Sequence, residues 1–125
     1  MTTQEENWVG VDLLKGDDSL SGMSAGQDHV FDRNLYVTAS WKGQPAEGQP
    51  INFVIINDSG VDTGSHFTID DKPETSDITN TDSNGKATAS KLTAGSTIGP
   101  FTVKVYFPGS PSVSPVLYHL SVINK

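Results

Sequence analysis

The segment FTVKVYF at residues 101–107 alternates apolar and polar side chains with a period of two. Its apolar side chains would share one face of a β-strand, and its polar side chains would share the opposite, solvated face. The same alternation recurs at residues 34–41, 51–56 and 116–122. No stretch repeats apolar residues at the spacing of a helix, so the pattern predicts an all-β chain.

Turn-forming residues separate these segments. The sequences KGQP at 42–45, DSNG at 82–85 and PGSP at 108–111 combine Gly, Pro, Asn and Asp, which favour tight turns. Weaker strands are predicted at residues 9–14, 66–69, 77–81 and 86–92. About seven or eight short strands with a turn about every ten residues predict a two-sheet sandwich, because one sheet alone would leave its apolar face in water.

Length and composition limit the function classes. A chain of 125 residues is long enough for one domain, and we assign residues 8–125 to it and 1–7 to a flexible N-terminal segment. The absence of cysteine excludes disulfides, thiolate metal sites and cysteine nucleophiles. A net charge of -7 argues against nucleic-acid partners. No apolar run approaches the ~20 residues that cross a bilayer, and residues 1–10 do not resemble a signal peptide.

Several short motifs occur in a characteristic order along the chain. They are LYV at 35–37, GQP at 43–45 followed by Gly48, INF at 51–53, the turn and strand at 82–87, LT at 92–93 followed by Gly99, and FTV at 101–103. Together they resemble the bacterial immunoglobulin-like domains of the invasin and intimin type over roughly residues 14–122.

The resemblance implies an immunoglobulin-like two-sheet β-sandwich without catalytic activity. Such a module would be a structural spacer or an adhesion domain of a bacterial surface, secreted or phage assembly. We therefore expect an extracellular or cell-surface location, a monomer, a protein or glycan partner and no cofactor. A carbohydrate- or receptor-binding domain is the alternative within the same fold.

The stretch INDSGVDTG at residues 56–64 indicates a different function. An apolar strand followed by Asp-Ser-Gly resembles the active-site segment of retroviral-type aspartic proteases, in which Asp58 would be the catalytic residue of a homodimer. Such an enzyme also requires a later apolar-apolar-Gly strand, and only Ile98 is apolar before Gly99. Turn residues after a central strand explain the same stretch, so we expect no catalytic site.

Acidic and histidine side chains are the candidate metal ligands of this chain. The acids of the central region are Asp58, Asp62, Asp70, Asp71, Glu74 and Asp77. Their spacing does not match an EF-hand, and a solvated acidic loop is favoured over a calcium site. The histidines are His29, His66 and His119, and their separation does not match a zinc motif. We therefore predict no metal site.

Three residues are candidates for ligand binding. If residues 101–107 pair with residues 116–122, Tyr106 and His119 face outward together with Leu117 and Lys104, and such a mixture of aromatic, aliphatic and charged groups can anchor a partner. The third candidate is Trp8, which either packs the first strand onto the sandwich or exposes a ring for a sugar or protein.

Overall fold

The computed structural model describes residues 10–57 and 60–125, which form twelve strands and one short 3-10 helix at Asp18–Leu20. The first six strands are β1 Leu13–Gly16, β2 Ser24–Gly26, β3 Tyr36–Trp41, β4 Gln44–Pro45, β5 Pro50–Ile56 and β6 His66–Ile69. The last six are β7 Lys72–Glu74, β8 Ser76–Asn80, β9 Lys86–Thr88, β10 Leu92–Thr93, β11 Gly99–Tyr106 and β12 Val116–Ile123. In this described part, seven strands have four or more residues, and the other five have two or three.

The strands pair into three sheets. The largest sheet has five strands in the order β2-β12-β11-β5-β8, and its pairs are antiparallel except for the parallel pair β2–β12. A second sheet is built on β3, which pairs with β1 along one edge and with β4 and β9 along the other. The remaining strands, β10, β6 and β7, form a separate three-stranded sheet.

One apolar core is shared by all three sheets. Phe101, Val103 and Val105 of β11 are buried, as their period-two spacing predicts. They pack in one cluster with Val37 of β3 and Phe67 of β6. Fully burying a side chain of this size contributes about 1.5–3 kcal/mol, so the inward positions of β11 are the main source of stability in this strand.

Two hairpins have two-residue loops whose residues lie in the left-handed backbone region. Lys42 and Gly43 connect β3 to β4 with φ of 51° and 82°, and Asp70 and Asp71 connect β6 to β7 with φ of 52° and 64°. Two positive φ angles in a two-residue loop characterise the type I′ turn, whose twist matches that of the flanking strands. Asp tolerates this conformation better than most residues, which explains the paired acids at 70 and 71.

The DSNG turn brings β9 back along β3. The Asp82 carboxylate accepts hydrogen bonds from the backbone amides of Asn84 at 2.8 Å and Lys86 at 3.0 Å. These bonds favour the ionised carboxylate and lower its pKa. Gly85 has a φ of 77° and lies against the backbone, where a Cβ atom would overlap the carbonyl oxygen of Ala39.

A buried tyrosine fixes the point where the chain crosses from one sheet to the other. The hydroxyl of Tyr118 donates to the Tyr36 carbonyl at 2.7 Å and accepts from the Asp17 amide at 2.9 Å. Gly16 lies directly beside it, since a Cβ there would be 2.8 Å from the tyrosine oxygen. The five-stranded sheet is thereby tied to the β3 sheet next to the end of β1.

The chain enters and leaves this sandwich at opposite poles. At one pole the Lys42 amide donates to the Asp12 carboxylate at 3.0 Å, beside the β3–β4 hairpin. From there β1 runs to Gly16, which lies against Val116 at the start of β12. Strand β2 then runs parallel to β12, and at the far end the Gln27 amide donates to the Ile123 carbonyl at 3.1 Å.

Candidate binding surface

The side of the five-stranded sheet that points away from the core is the candidate binding surface. We call it the outer face and define it by Asn52, Val54, Ile56, Ser76, Ile78, Asn80, Thr102, Lys104, Tyr106, Leu117, His119 and Ser121, whose registers place them on one side. Thr102 lies opposite His119, and Lys104 opposite Leu117. The pairing on which the expected position of Tyr106 and His119 depended is therefore present.

Two large apolar side chains are exposed on the outer face, one on β8 and one on β12. Ile78 is 63% exposed and Leu117 48% exposed. None of the 15 acidic residues of the chain belongs to the outer face, whose ionisable side chains are Lys104, Tyr106 and His119. Antiparallel sheets usually present polar side chains on the side that faces solvent. Ile78 and Leu117 depart from that pattern.

Polar contacts occur at two places on the outer face. At one place Asn52 Nδ2 donates to the Tyr106 hydroxyl at 2.9 Å, and Lys104 Nζ lies 5.4 Å from the centroid of the tyrosine ring. At the other place Thr102 Oγ1 and His119 Nδ1 are 3.2 Å apart, at hydrogen-bond distance. The first place thus combines a cation, an aromatic ring and a phenolic hydroxyl.

A pocket of about 250 Å³ opens at the end of the outer face, beside Tyr106. Its walls are Lys104, Tyr106 and Phe107 on one side and Ser110, Pro111, Val113 and Pro115 of the β11–β12 loop on the other. Gly109 lets this loop lie on the Phe107 ring, because a Cβ there would be 2.5 Å from Phe107 Cζ. The loop therefore folds over the apolar end of β11 and closes one side of the pocket.

The sequence candidates are only partly brought together. Tyr106 lines the pocket, whereas His119 lies on the outer face beside Thr102 and is not among the pocket residues. Trp8 lies outside the described residues. Sequence reasoning missed Asn52 and the loop wall of the pocket, although the repeated prolines in PGSPSVSP at 108–115 indicate a stiff loop.

The INDSGVDTG stretch follows a central strand, since β5 lies between β11 and β8. The Asp62 carboxylate accepts a hydrogen bond from the Gly64 amide at 2.9 Å, which is a turn contact. The buried hydroxyls of Thr63 and Ser65 are 2.8 Å apart, and Ser65 Oγ accepts from the Gly95 amide at 3.1 Å. The Asp-Thr-Gly triplet thus anchors the loop, whereas Asp58 lies outside the described residues.

The other acids considered as calcium ligands differ in their positions: Asp70 and Asp71 lie in a turn, and Glu74 is exposed on β7. Asp77 is buried, and its carboxylate accepts from the Ser90 amide at 2.7 Å. Within residues 10–57 and 60–125, no group of three or more histidine or acidic side chains is arranged to hold a metal ion. In the same part of the chain, no helix is long and apolar enough to cross a bilayer.

A second polar cluster surrounds Asp17 on the edge of the β3 sheet. Its carboxylate accepts from the Ser19 hydroxyl at 2.6 Å, from the Tyr36 hydroxyl at 2.5 Å and from Arg33 Nη2 at 3.3 Å. The Ser19 and Tyr36 hydrogen bonds lower the pKa of Asp17 well below its ordinary value. The same carboxylate raises the pKa of Tyr36. The groups satisfy one another, which indicates a structural cluster.

Comparisons with known proteins address the fold. Neither the protein-family models nor the curated proteins match this chain. Among solved structures, the D00-D0 domain of intimin matches with a TM-score of 0.61 at 18% sequence identity, covering 94% of this chain and 49% of that one. This chain has the fold of an intimin-type immunoglobulin-like domain.

The intimin-type fold confirms the all-β immunoglobulin-like sandwich predicted from the order of the sequence motifs. The chain spans about half the length of the intimin structure that it matches. An aspartic protease requires a different fold, so the observed architecture argues against the catalytic interpretation of INDSGVDTG. The match shows the fold, and a fold does not by itself imply a function.

Proposed function

We propose that this chain is a non-catalytic immunoglobulin-like module that acts as a spacer, joining its neighbours end to end in a bacterial surface, secreted or phage assembly. The main support for this proposal is that the chain enters the sandwich at one pole and leaves it at the opposite pole. A module with that geometry adds its full length to an assembly. The intimin-type fold supports an extracellular or cell-surface setting for it.

The parallel pair of strands β2 and β12 is suited to carry tension. β12 has eight residues and is bonded on one side to β11 and on the other to β2. Because β2 and β12 are parallel, pulling the two poles apart drives these strands past each other in opposite directions. The backbone bonds of the three paired residues are then loaded together, and bonds loaded together resist more force than bonds broken one at a time.

Single-molecule force spectroscopy on a tandem repeat of the domain tests the spacer role. Ala25→Pro at the centre of β2 should lower the unfolding force, because proline breaks the ladder between β2 and β12. The control is Glu74→Pro in β7, another three-residue strand, which pairs with β6 and with neither β2 nor β12. An unfolding force unchanged by Ala25→Pro, or lowered equally by both variants, would contradict the proposal.

The outer face favours a second function, a binding or adhesion module. Its exposed Ile78 and Leu117, the absence of acids from its defined residues and the pocket beside Tyr106 support contact with a protein or glycan. Its test is the chemical-shift response of the Leu117 and His119 amides to candidate ligands. Leu117→Glu should abolish that response while the domain stays folded, and an unaltered response would exclude the outer face.

A further inference from the structure

The pocket beside Tyr106 has an apolar floor and a polar rim. Phe107, Val113 and the prolines of the loop provide side chains without hydrogen-bonding groups. The polar groups are the Lys104 ammonium, the Tyr106 hydroxyl and the Ser110 hydroxyl, and the last is paired with Ser112 Oγ at 2.9 Å. A ligand that fits must therefore place an apolar group inside and a polar group near Lys104 and Tyr106.

Both rim groups are hydrogen-bond donors. The Tyr106 oxygen already accepts from Asn52 Nδ2, which leaves its own O–H to donate to a ligand. Within residues 10–57 and 60–125, Lys104 forms no ion pair; the ion pair found there joins Arg33 to Asp17. The outer face supplies no carboxylate of its own, although the chain carries a net charge of -7. The rim is thus complementary to an anionic hydrogen-bond acceptor.

The size of the pocket suits one amino-acid residue of a ligand. A volume of about 250 Å³ is below the roughly 300–1,000 Å³ of typical small-molecule sites. A sugar ring of this size would bring several hydroxyl groups against prolines and Val113, where they would lose their water without gaining partners. An apolar side chain would lose nothing there. The lining therefore favours an amino-acid side chain over a pyranose ring.

We propose that this pocket binds the C-terminal residue of a partner protein when that residue is apolar. Its side chain enters the pocket between Tyr106 and the 108–115 loop, and its α-carboxylate accepts hydrogen bonds from Lys104 Nζ and the Tyr106 hydroxyl. This inference rests on the binding role proposed as the second function and is independent of the spacer role.

Nuclear magnetic resonance titration of the full chain tests the assignment. The probes are N-acetyl-L-leucine, which has the side chain and the carboxylate, N-acetyl-L-leucinamide, which lacks the charge, and glucuronate, an acidic sugar. N-acetyl-L-leucine should shift the amides of Lys104, Tyr106 and residues 108–115 in a saturable manner. The neutral amide should bind about tenfold or more weakly, because it loses a charge-assisted hydrogen bond.

Variants separate the pocket from general charge effects. Lys104→Gln should reduce binding of N-acetyl-L-leucine to the level of the neutral amide, and Lys104→Arg should retain most of it. Tyr106→Phe should weaken binding of the acid more than binding of the amide, because the hydrogen bond to the carboxylate is charge-assisted and the one to the amide carbonyl is not. The matched control is Lys86→Gln, since Lys86 Nζ lies 4.3 Å from the ring centroid of Tyr36 on the other sheet, where no pocket residue lies.

Three outcomes would overturn the assignment. They are equal affinities for the acid and its amide, a response of the pocket amides to glucuronate but not to N-acetyl-L-leucine, and no shift of the pocket amides by any probe. Shifts confined to Leu117 and His119 are a case of the third outcome, and they would exclude the pocket while leaving a binding role for the outer face. None of these results bears on the unfolding force of the domain.

Discussion

At the scale of single residues, two glycines with the same backbone conformation have different surroundings. Gly43 has a φ of 82°, and among the described residues, its two chain neighbours aside, no heavy atom lies within 4 Å of the place where its Cβ would be. Gly85 has a φ of 77°, and its Cβ would overlap the Ala39 carbonyl oxygen and lie 3.3 Å from the Ala46 amide. Both positions need the left-handed conformation, but only Gly85 also needs the absence of a side chain.

Alanine at these two glycines should therefore have unequal effects on stability. Gly43→Ala should cost about 1 kcal/mol, the strain of an L-residue in the left-handed region. Gly85→Ala should cost at least about 3 kcal/mol, because the β3–β9 pairing must also move to relieve the overlap. Urea denaturation gives both values. Similar losses for the two variants would show that steric overlap at Gly85 is unimportant.

The Asp17 cluster predicts a dependence of stability on pH. Hydrogen bonds from Ser19 and Tyr36 lower the folded-state pKa of Asp17 from its ordinary value of 3.8. The unfolded chain then binds more protons than the folded one below that pH. This contribution is fully present above pH 3.8 and is lost as the pH falls from there through the lowered pKa.

Asp17→Asn should therefore flatten the acid side of the stability curve. Denaturation midpoints measured from pH 6 to pH 2 should fall less steeply for the variant than for the parent chain below about pH 4. Ser19→Ala, which removes a hydroxyl donor and keeps the carboxylate, should have an intermediate slope. Parallel curves for all three proteins would mean that Asp17 titrates normally in the folded state.

At the scale of the strand, the inward and outward positions of neighbouring strands predict opposite responses to charge. Val103→Asp should unfold the domain, since Val103 is fully buried at the centre of the five-stranded sheet and a carboxylate there would be unpaired. Leu117→Asp on β12 is the control, because Leu117 is 48% exposed. Circular dichroism and thermal melting compare the two. A folded Val103→Asp variant would contradict the inward assignment of that residue.

Sequence reasoning predicted the elements whose stability comes from burial. The alternation in β11 and β12 arises because one side of each strand is buried and the other is exposed. The sequence alone therefore predicts these two strands and the residues that face each other across them on the outer face. Strand β7 is exposed throughout and contains Pro73, so no apolar pattern indicates it. The first strand was predicted at residues 9–14 from its apolar residues. It is instead Leu13–Gly16, because these are the residues that pair with β3.

Contacts between distant residues were beyond the reach of the sequence. Asp17 and Tyr118 meet because the chain changes sheets beside Gly16, a consequence of the completed topology. The pocket depends on how residues 108–115 fold onto Phe107, and local spacing does not specify that path. Asp77 is a further example. Its acidic surroundings in the sequence predict a solvated loop, yet the residue is buried and its carboxylate accepts a hydrogen bond from the Ser90 amide.

At the scale of the whole molecule, a spacer requires no second copy to complete it. The domain should therefore sediment as a monomer of 13.3 kDa, whereas a retroviral-type protease would be a homodimer. Sedimentation equilibrium over a hundredfold concentration range distinguishes these states. A dimer that Leu117→Glu dissociates would instead show that the outer face is a self-association surface.

The opposite placement of entry and exit also decides how the domain can be engineered. Strand β12 alone spans about 27 Å at ~3.4 Å per residue, so a peptide joining the two poles would have to run along the outside of the sandwich. Circular permutation and cyclisation that join residue 10 to residue 125 directly, which work best when the joined ends are neighbours, are poorly suited to this sandwich. Linear concatenation should instead need only short linkers, and the length of a tandem array should increase by the length of one sandwich with each added copy.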